Sequence, residues 1–343
     1  MPAITLVDPA TGSIARILPD VGFNCFNYAP IVAGEPVEVL WTAPDFETSR
    51  PAGAGTPRPM ASGIPILFPF AGRLRGTALQ FGDRTIPLVI DPRLGFAIHG
   101  FVYNRPWRII SQSPSSVTGE FHAARDDPSL LDSWPADFRI RASYEVHHIG
   151  LRLSITIDNP SDRPLPFGLG THGYFRLPLG GFGKRDECQL IVPAKSYWEL
   201  EGMLPTGRKL PADGLRAVSG TGFPARQASD GLGRPSHSGA SGGMAFGDSR
   251  LDDVFTDLAA RDGRVVCRLL DGVNQRRLSV IFDAAFAHCI VFNPPHREAL
   301  CIEPYTCVPD AYTLEERGIA TGLRVLAPSE SFQASIEMRL DEI

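Results

Sequence analysis

The chain has 343 residues, of which 43% are hydrophobic, enough to bury the core of one large β fold or of two average domains. Its net charge is -5, and its 33 basic residues are spread along the sequence, which argues against a surface for nucleic acid or anionic membranes. The sequence contains neither an apolar run of membrane-span length nor an N-terminal secretion signal, so we expect a cytoplasmic protein with no membrane association.

Apolar and polar residues alternate with a period of two through most of the chain. The clearest pair of runs, 138–146 and 151–158, is joined by a short turn at 147–150 and predicts an antiparallel hairpin with one buried and one solvated face. Further strands are predicted over 4–8, 37–41, 187–194, 264–270, 276–282, 289–293 and 332–340.

Helical patterns are short and occur only at 129–134 and 313–318. With 34 Gly and 31 Pro interrupting the strands, the sequence predicts an all-β protein built from large packed sheets. Strand-like runs continue across every candidate boundary, so we expect one domain over residues 1–343. Two segments rich in Gly, Pro or Ser, 44–63 and 219–249, are predicted to be loops.

The six cysteines form no CxxC pair, and several of them lie in apolar strand-like runs. This pattern is typical of buried, reduced thiols in a cytosolic protein rather than of a disulfide framework. Their positions are Cys25, Cys188, Cys267, Cys289, Cys301 and Cys307.

The segment 301–306, CIEPYT, places a carboxylate, Glu303, inside a run that otherwise resembles a buried strand. A carboxylate is costly in such surroundings unless it has polar partners. Three earlier segments end apolar runs with one basic or titratable residue among glycines and aromatics, and these residues are Arg73, His99 and His172. We therefore expect these four side chains to meet in one cavity.

An imidazole and a carboxylate facing one cavity are suited to moving protons on a polar organic substrate, with His172 as acid and Glu303 as base. Taken singly, such a His is more often a hydrogen-bonded strand-end residue, and such a Glu is more often half-exposed. Arg73 and His99 would donate hydrogen bonds to substrate oxygens. Alternation turns only one of Asp252 and Asp253 inward, and Asp252 with Glu303 could also form the carboxylate pair of a glycosidase.

No sequence pattern indicates a metal or a cofactor. The pair His147–His148 lacks ligands at metal-binding spacing, and the glycines at 239–243 do not form a phosphate-binding loop. No serine lies in a nucleophile-elbow motif. We therefore expect a reaction that needs neither.

Six segments in this order resemble the aldose 1-epimerase (galactose mutarotase) family, and together they extend over nearly the whole chain. They are 63–76 (GIPILFPFAGRLRG), 97–107 (AIHGFVYNRPW), 167–177 (FGLGTHGYFRL), 197–208 (YWELEGMLPTGR), 251–255 (LDDVF) and 301–306. The resemblance implies a large antiparallel β-sandwich of the galactose mutarotase type. It also implies interconversion of the α and β anomers of free sugars without cofactor or metal.

The resemblance assigns roles to five residues. Glu303 would be the general base on the anomeric hydroxyl, and His172 the general acid on the ring oxygen. Arg73, His99 and Asp252 match substrate-binding positions of the family.

Three residues depart from the family pattern and bear on which sugar is bound. Gly72 stands where many members have Asn, Gly173 where many have Pro, and Asp253 where His is common. Two alternatives stay open: a hexose 6-phosphate epimerase, for which Arg75, Arg105 and Arg176 could supply positive charge, and a non-catalytic sugar-binding protein. The sequence leaves open whether the protein is a monomer or a homodimer.

Overall fold

The computed structural model describes residues 1–48, 61–181, 183–212, 251–296 and 298–343. About 51% of the structure is strand and about 7% is helix, which confirms the all-β prediction. The α-helices in the described residues are α1 (Ala123–Asp126) and α2 (Ala311–Glu316). Short 3-10 turns occur at Val102–Asn104, Pro128–Asp132 and Arg185–Glu187. Within these ranges, none of the helices has the length and apolar character required to span a membrane.

The strands of the described residues are numbered in chain order. They are β1 (Ile4–Val7), β2 (Ile14–Leu18), β3 (Asn24–Ala29), β4 (Ile31–Val32), β5 (Glu35–Pro36), β6 (Ile66–Leu67), β7 (Arg73–Leu74), β8 (Ala78–Phe81), β9 (Arg84–Pro87), β10 (Ala97–Ile98), β11 (Arg108–Gln112), β12 (Ser116–His122), β13 (Arg139–His147), β14 (Gly150–Asp158), β15 (Leu165–Phe167), β16 (Gly170–Thr171), β17 (Gly173–Arg176), β18 (Cys188–Ile191), β19 (Ala194–Glu201), β20 (Leu204–Pro211), β21 (Asp252–Leu258), β22 (Arg264–Asp271), β23 (Arg276–Asp283), β24 (His288–Phe292), β25 (Ala299–Tyr305), β26 (Arg324–Leu326) and β27 (Ser331–Glu342).

Two eight-stranded antiparallel sheets form the body of the described structure. The first has the order β11-β12-β13-β14-β27-β23-β22-β18, and the second has the order β20-β19-β21-β24-β25-β16-β6, with β17 also paired to β25. Side chains from both sheets share one hydrophobic cluster, including Ile140 and Leu153 of the first and Val291 and Ile302 of the second. The sheets therefore pack face to face as a sandwich.

Strand β25 is buried on both faces, which explains how the sequence accommodates a carboxylate in it. Leu300 and Ile302 point into the core shared by the two sheets. Because side chains alternate along a strand, Cys301, Glu303 and Tyr305 lie on the opposite face. That face forms the floor of a cavity.

The predicted strand over 37–41 is wrong. Its backbone amides bond to two different neighbours: that of Val39 donates to the carbonyl of Tyr28, and that of Trp41 donates to the carbonyl of Tyr174. No continuous ladder can form with either neighbour, and only Leu40 makes an isolated bridge, to Phe175.

Other expectations differ from the structure at their ends or fall outside it. Strand β13 reaches His147, so the turn to β14 is shorter than predicted. The predicted loop 219–249 lies outside the described residues, as does the 49–60 part of the loop at 44–63. All six cysteines are buried and free, as expected. That the whole chain forms one domain stays a prediction.

Candidate active site

The structure brings Arg73, His99, His172, Asp252 and Glu303 to one cavity of about 330 Å³. The cavity lies on the face of the second sheet that points away from the shared core, and its size falls within the usual range for small-molecule sites. Its remaining lining residues are Ala61, Gly72, Leu94, Ile98, Tyr174, Leu200, Met203, Val254, Ile290, Phe292, Pro294, Pro295, His296, Tyr305 and Pro309.

Glu303 lies on the cavity floor and is only 1% exposed. Its Oε2 accepts a hydrogen bond of 2.8 Å from the hydroxyl of Tyr305, and its Oε1 has no hydrogen-bond partner among the described residues. Burial raises the pKa of this carboxyl well above its usual value, while the Tyr305 hydrogen bond acts in the opposite direction. Oε1 is therefore the carboxyl oxygen that the hydrogen bond of Tyr305 leaves unbonded.

His172 stands between β16 and β17, where its backbone amide donates to the carbonyl of Pro65. Its ring stacks on Tyr174 with centroids 4.6 Å apart, and its Nε2 lies 3.2 Å from Oε1 of Glu303. Burial lowers the pKa of His172 to about 3. The imidazole and the carboxyl are thus immediate neighbours, and both are buried.

The opposite pKa shifts of His172 and Glu303 have the same cause, because burial disfavours the charged form of each group. These two pKa shifts favour a neutral imidazole at His172 and a protonated carboxyl at Glu303, which is one proton for the pair. The distance of 3.2 Å between Nε2 and Oε1 is short enough for a proton to pass between the two groups.

Arg73 and Asp252 form an ion pair across the cavity, with Nη1 3.2 Å from Oδ2. Arg73 opens β7, and its carbonyl accepts a hydrogen bond from the backbone amide of Asp310. Asp252 opens β21 opposite Phe292 of β24, which also lines the cavity. Asp253 is not among the lining residues, so Asp252 is the acid that faces the cavity.

His99 follows β10 with a left-handed backbone, φ 65°, next to Gly100. Its Nδ1 accepts a hydrogen bond from the amide of Gly72 at 3.3 Å, so the ring carries its proton on Nε2. Burial, reinforced by His172 and Arg73, lowers its pKa well below the usual value. His99 is therefore a neutral hydrogen-bond donor facing the cavity.

Sequence reasoning did not single out several residues that complete the site. Tyr305 and Tyr174 each lie two positions after a predicted site residue on a strand, so alternation was the signal that could have found them. At the cavity mouth His296 stacks on Trp41 with centroids 3.9 Å apart, and Trp41 Nε1 donates to Glu298 at 2.8 Å. No local sequence pattern predicts that His296 and Trp41 stack on each other.

One group of potential metal donors occurs in the described part of the chain. Donor atoms of His172, Cys301 and Glu303 lie within 4.8 Å of one another, and all three residues are buried. Burial raises the pKa of the Cys301 thiol well above its usual value, whereas a metal ligand must be the thiolate. The trio fits a proton-transfer pair with a nearby thiol better than a preformed metal centre.

Comparisons with known proteins bear on the family and the fold of the chain. A family model described as aldose 1-epimerase matches residues 32–339. A galactose mutarotase-like protein from Clostridium acetobutylicum is 20% identical with a TM-score of 0.77, covering 97% of this chain and 94% of that one. A GalM/aldose epimerase homologue from C. elegans is 17% identical with a TM-score of 0.72, covering 99% of both chains. Galactose 1-epimerase from Lactobacillus acidophilus NCFM is 18% identical with a TM-score of 0.67, covering 99% and 94%.

Proposed function

The chain belongs to the aldose 1-epimerase family, and on that basis we propose that it interconverts the α and β anomers of a free, uncharged aldose. The observation that carries the proposal is the contact of 3.2 Å between Nε2 of His172 and Oε1 of Glu303 on the cavity floor. Acid–base catalysis requires both groups to reach one substrate by hydrogen bonds.

The closeness of the two groups matches the chemistry of an anomeric centre. The two oxygens that must exchange protons, the anomeric hydroxyl O1 and the ring oxygen O5, are both bonded to the same carbon, C1. An acid and a base that act on them must therefore also be close together. The neighbouring positions of His172 and Glu303 meet that requirement.

Ring opening uses the proton that the pair holds. Glu303, as the carboxylate, takes the proton from O1, while His172, as the imidazolium, donates its Nε2 proton to O5. The C1–O5 bond breaks, and its electrons go to O5 as C1=O1 forms. The product is the open-chain aldehyde, and the proton count of the pair is unchanged.

Ring closure reverses these roles after rotation about C1–C2. His172 takes the proton from the O5 hydroxyl as O5 attacks the other face of C1, and Glu303 returns its proton to O1. The result is the opposite anomer, with both side chains restored. Arg73, His99 and Asp252 are proposed to hold the remaining hydroxyls through hydrogen bonds.

The charge of the cavity favours a neutral sugar over a sugar phosphate. Among the described lining residues Arg73 is the sole Arg or Lys, and Asp252 already pairs with it. The other arginines considered for a phosphate have carboxylate partners elsewhere: Arg75 with Asp310, Arg105 with Asp127 and Arg176 with Glu38. A phosphate would meet a cation already neutralised by Asp252, together with the carboxyl group of Glu303.

One further feature bears on the choice between an enzyme and a non-catalytic sugar-binding protein. A pure sugar-binding protein has no need of an acid–base pair buried on the cavity floor, which favours the enzyme over the binder.

We also propose that the protein is cytoplasmic, since six free buried thiols suit a reducing compartment.

Exchange spectroscopy by NMR tests the proposal directly, because it measures the interconversion of anomers at equilibrium. We expect magnetisation transfer between anomers of a neutral aldose when the wild-type protein is present, at a rate above that of buffer. The Glu303→Gln variant should show only the buffer rate. A panel of pentoses, hexoses, 6-deoxyhexoses and hexose 6-phosphates on which the wild type never exceeds buffer would refute the proposal.

A further inference from the structure

We propose that Tyr305 is a positioning residue for Glu303: its hydroxyl holds Oε2, so that Oε1 alone faces His172 and the substrate. The inference rests on the proposed function for its catalytic meaning. Its geometric basis is the hydrogen bond of 2.8 Å from the Tyr305 hydroxyl to Oε2 of Glu303, between two side chains that are each 1% exposed.

The ring of Tyr305 is held in a fixed place by what lies opposite it. Gly170 of β16 pairs with Tyr305 across the sheet, and a Cβ added at Gly170 would lie 2.5 Å from Cδ1 of the tyrosine ring. The ring thus occupies space that only a glycine leaves open. Leu67 and Ala71 belong to the same buried cluster, so the phenol has little freedom to rotate.

A fixed donor makes the two oxygens of Glu303 unequal. Oε2 accepts from Tyr305, whereas Oε1 has no hydrogen bond within the described ranges and lies 3.2 Å from Nε2 of His172. Rotation of the carboxylate out of its plane would break the bond to Tyr305. The base therefore keeps a single orientation towards the anomeric hydroxyl.

The same bond supports the ionised form that the reaction needs. After burial, the Tyr305 hydrogen bond is the largest influence on the pKa of Glu303, and it lowers that pKa. The other groups that influence the pKa of Glu303 act more weakly: Asp252 of β21 and Cys289 of β24 raise it, and Arg73 of β7 lowers it. His172 and Cys301 complete its titratable surroundings. A donor that prefers the carboxylate thus offsets part of the cost of burial.

The test is the Tyr305→Phe variant, which removes the hydroxyl and keeps the ring. We expect kcat to fall about tenfold, KM to stay within about twofold, and the alkaline limb of the kcat/KM profile to move up by about one pH unit, because a bond to a charged acceptor is lost. Tyr312→Phe is the matched control, since Tyr312 is also buried but its hydroxyl has no partner in the described structure and lies outside the cavity. That control should leave kcat and the profile unchanged.

A second readout does not depend on turnover. Carbon-13 NMR of protein labelled at glutamate carboxyls, with the Glu303 signal assigned by its loss in Glu303→Gln, follows the titration of this carboxyl alone. We expect Tyr305→Phe to raise that titration by about one pH unit even if no sugar tested is turned over, so this inference and the proposed function can fail separately. A Tyr305→Phe protein with a lower melting temperature but an unchanged titration midpoint of Glu303 would overturn the inference. Tyr305 would then contribute only to packing.

Discussion

Gly72 and His99 bond to each other twice: the Gly72 amide donates to Nδ1 of the His99 ring at 3.3 Å, and the His99 amide donates to the Gly72 carbonyl at 2.9 Å. The first bond fixes which ring nitrogen carries the proton, and the second holds the backbone that carries the ring. Since burial also keeps the ring neutral, His99 presents the same donor, Nε2–H, throughout the neutral pH range.

Replacing His99 by Asn should therefore weaken substrate binding more than turnover. Asn tolerates the left-handed backbone at position 99 but cannot place a donor where Nε2 lies. We expect KM to rise about tenfold, with a smaller fall in kcat, because the lost hydrogen bond acts in ground and transition states alike. Steady-state kinetics with the preferred sugar measures both constants. A large loss of kcat at unchanged KM would assign His99 to the chemical step instead.

Removing either member of the proposed acid–base pair should greatly lower turnover without abolishing binding. Glu303→Gln keeps size and an acceptor for Tyr305, and His172→Asn keeps a polar side chain. Each should lower kcat by roughly 10²–10⁴, the usual contribution of a positioned acid or base. Turnover is measured by polarimetry after subtraction of spontaneous mutarotation, and sugar affinity by calorimetry.

Two matched controls separate chemistry from folding. His288→Asn removes another buried histidine, whose pKa burial lowers to about 4, and Glu337→Gln removes a carboxylate that pairs with Arg339 at 2.7 Å. Neither residue lines the cavity. Both variants should lose stability but keep kcat within about twofold. If Glu303→Gln retained wild-type kcat on every sugar turned over, Glu303 would not be the base.

The pH profile of kcat/KM should be a broad plateau. Below the plateau His172, whose pKa is about 3, takes up a second proton; above it Glu303, whose pKa burial raises, loses the only proton of the pair. Activity should thus be retained well below the ordinary histidine value of 6.5 and fall only near the acid end. Brief pH jumps, with circular dichroism as a check on folding, give the profile. An acid limb centred near 6.5 would mean that His172 titrates as if it were exposed.

Chelation should leave the enzyme active, because the proposed ring opening and closure are assisted only by proton transfers to and from His172 and Glu303. Dialysis against EDTA, with residual metal measured by mass spectrometry, should keep kcat at the untreated value. The test is demanding because donor atoms of His172, Cys301 and Glu303 lie within 4.8 Å of one another and could hold a metal ion. Loss of activity that a single divalent ion restores would place a metal in the mechanism.

The alternating patterns predicted the parts of the fold that depend on local sequence. Strands β13 and β14 were predictable because one face of each is apolar and a short turn joins them. The segment 37–41 was not, since its apolar residues reflect burial between Tyr28 and Tyr174 rather than a ladder. In a segment this short, a buried non-strand segment and a paired strand have the same run of apolar residues, so the sequence cannot distinguish them.

The sequence also predicted which residues meet, but not how they touch. Arg73, His99, His172 and Glu303 each stood out as polar groups at the end of apolar runs. The contact between His172 and Glu303 depends on the register by which β16 and β17 pair with β25, and no local pattern encodes that register. The choice between Asp252 and Asp253 likewise depended on the pairing of β21 with β24.

The assembly of the cavity from β7, β16, β17, β21 and β25 has a consequence for how the protein reaches its active form. Every contact between these strands closes a long stretch of chain, and such non-local pairings are made slowly compared with hairpins such as β13–β14. A fragment that contains all five proposed site residues must extend at least from Arg73 to Glu303. During refolding from urea, recovery of mutarotation should therefore lag behind the return of the strand signal in circular dichroism, and a circularly permuted chain should change the length of that lag.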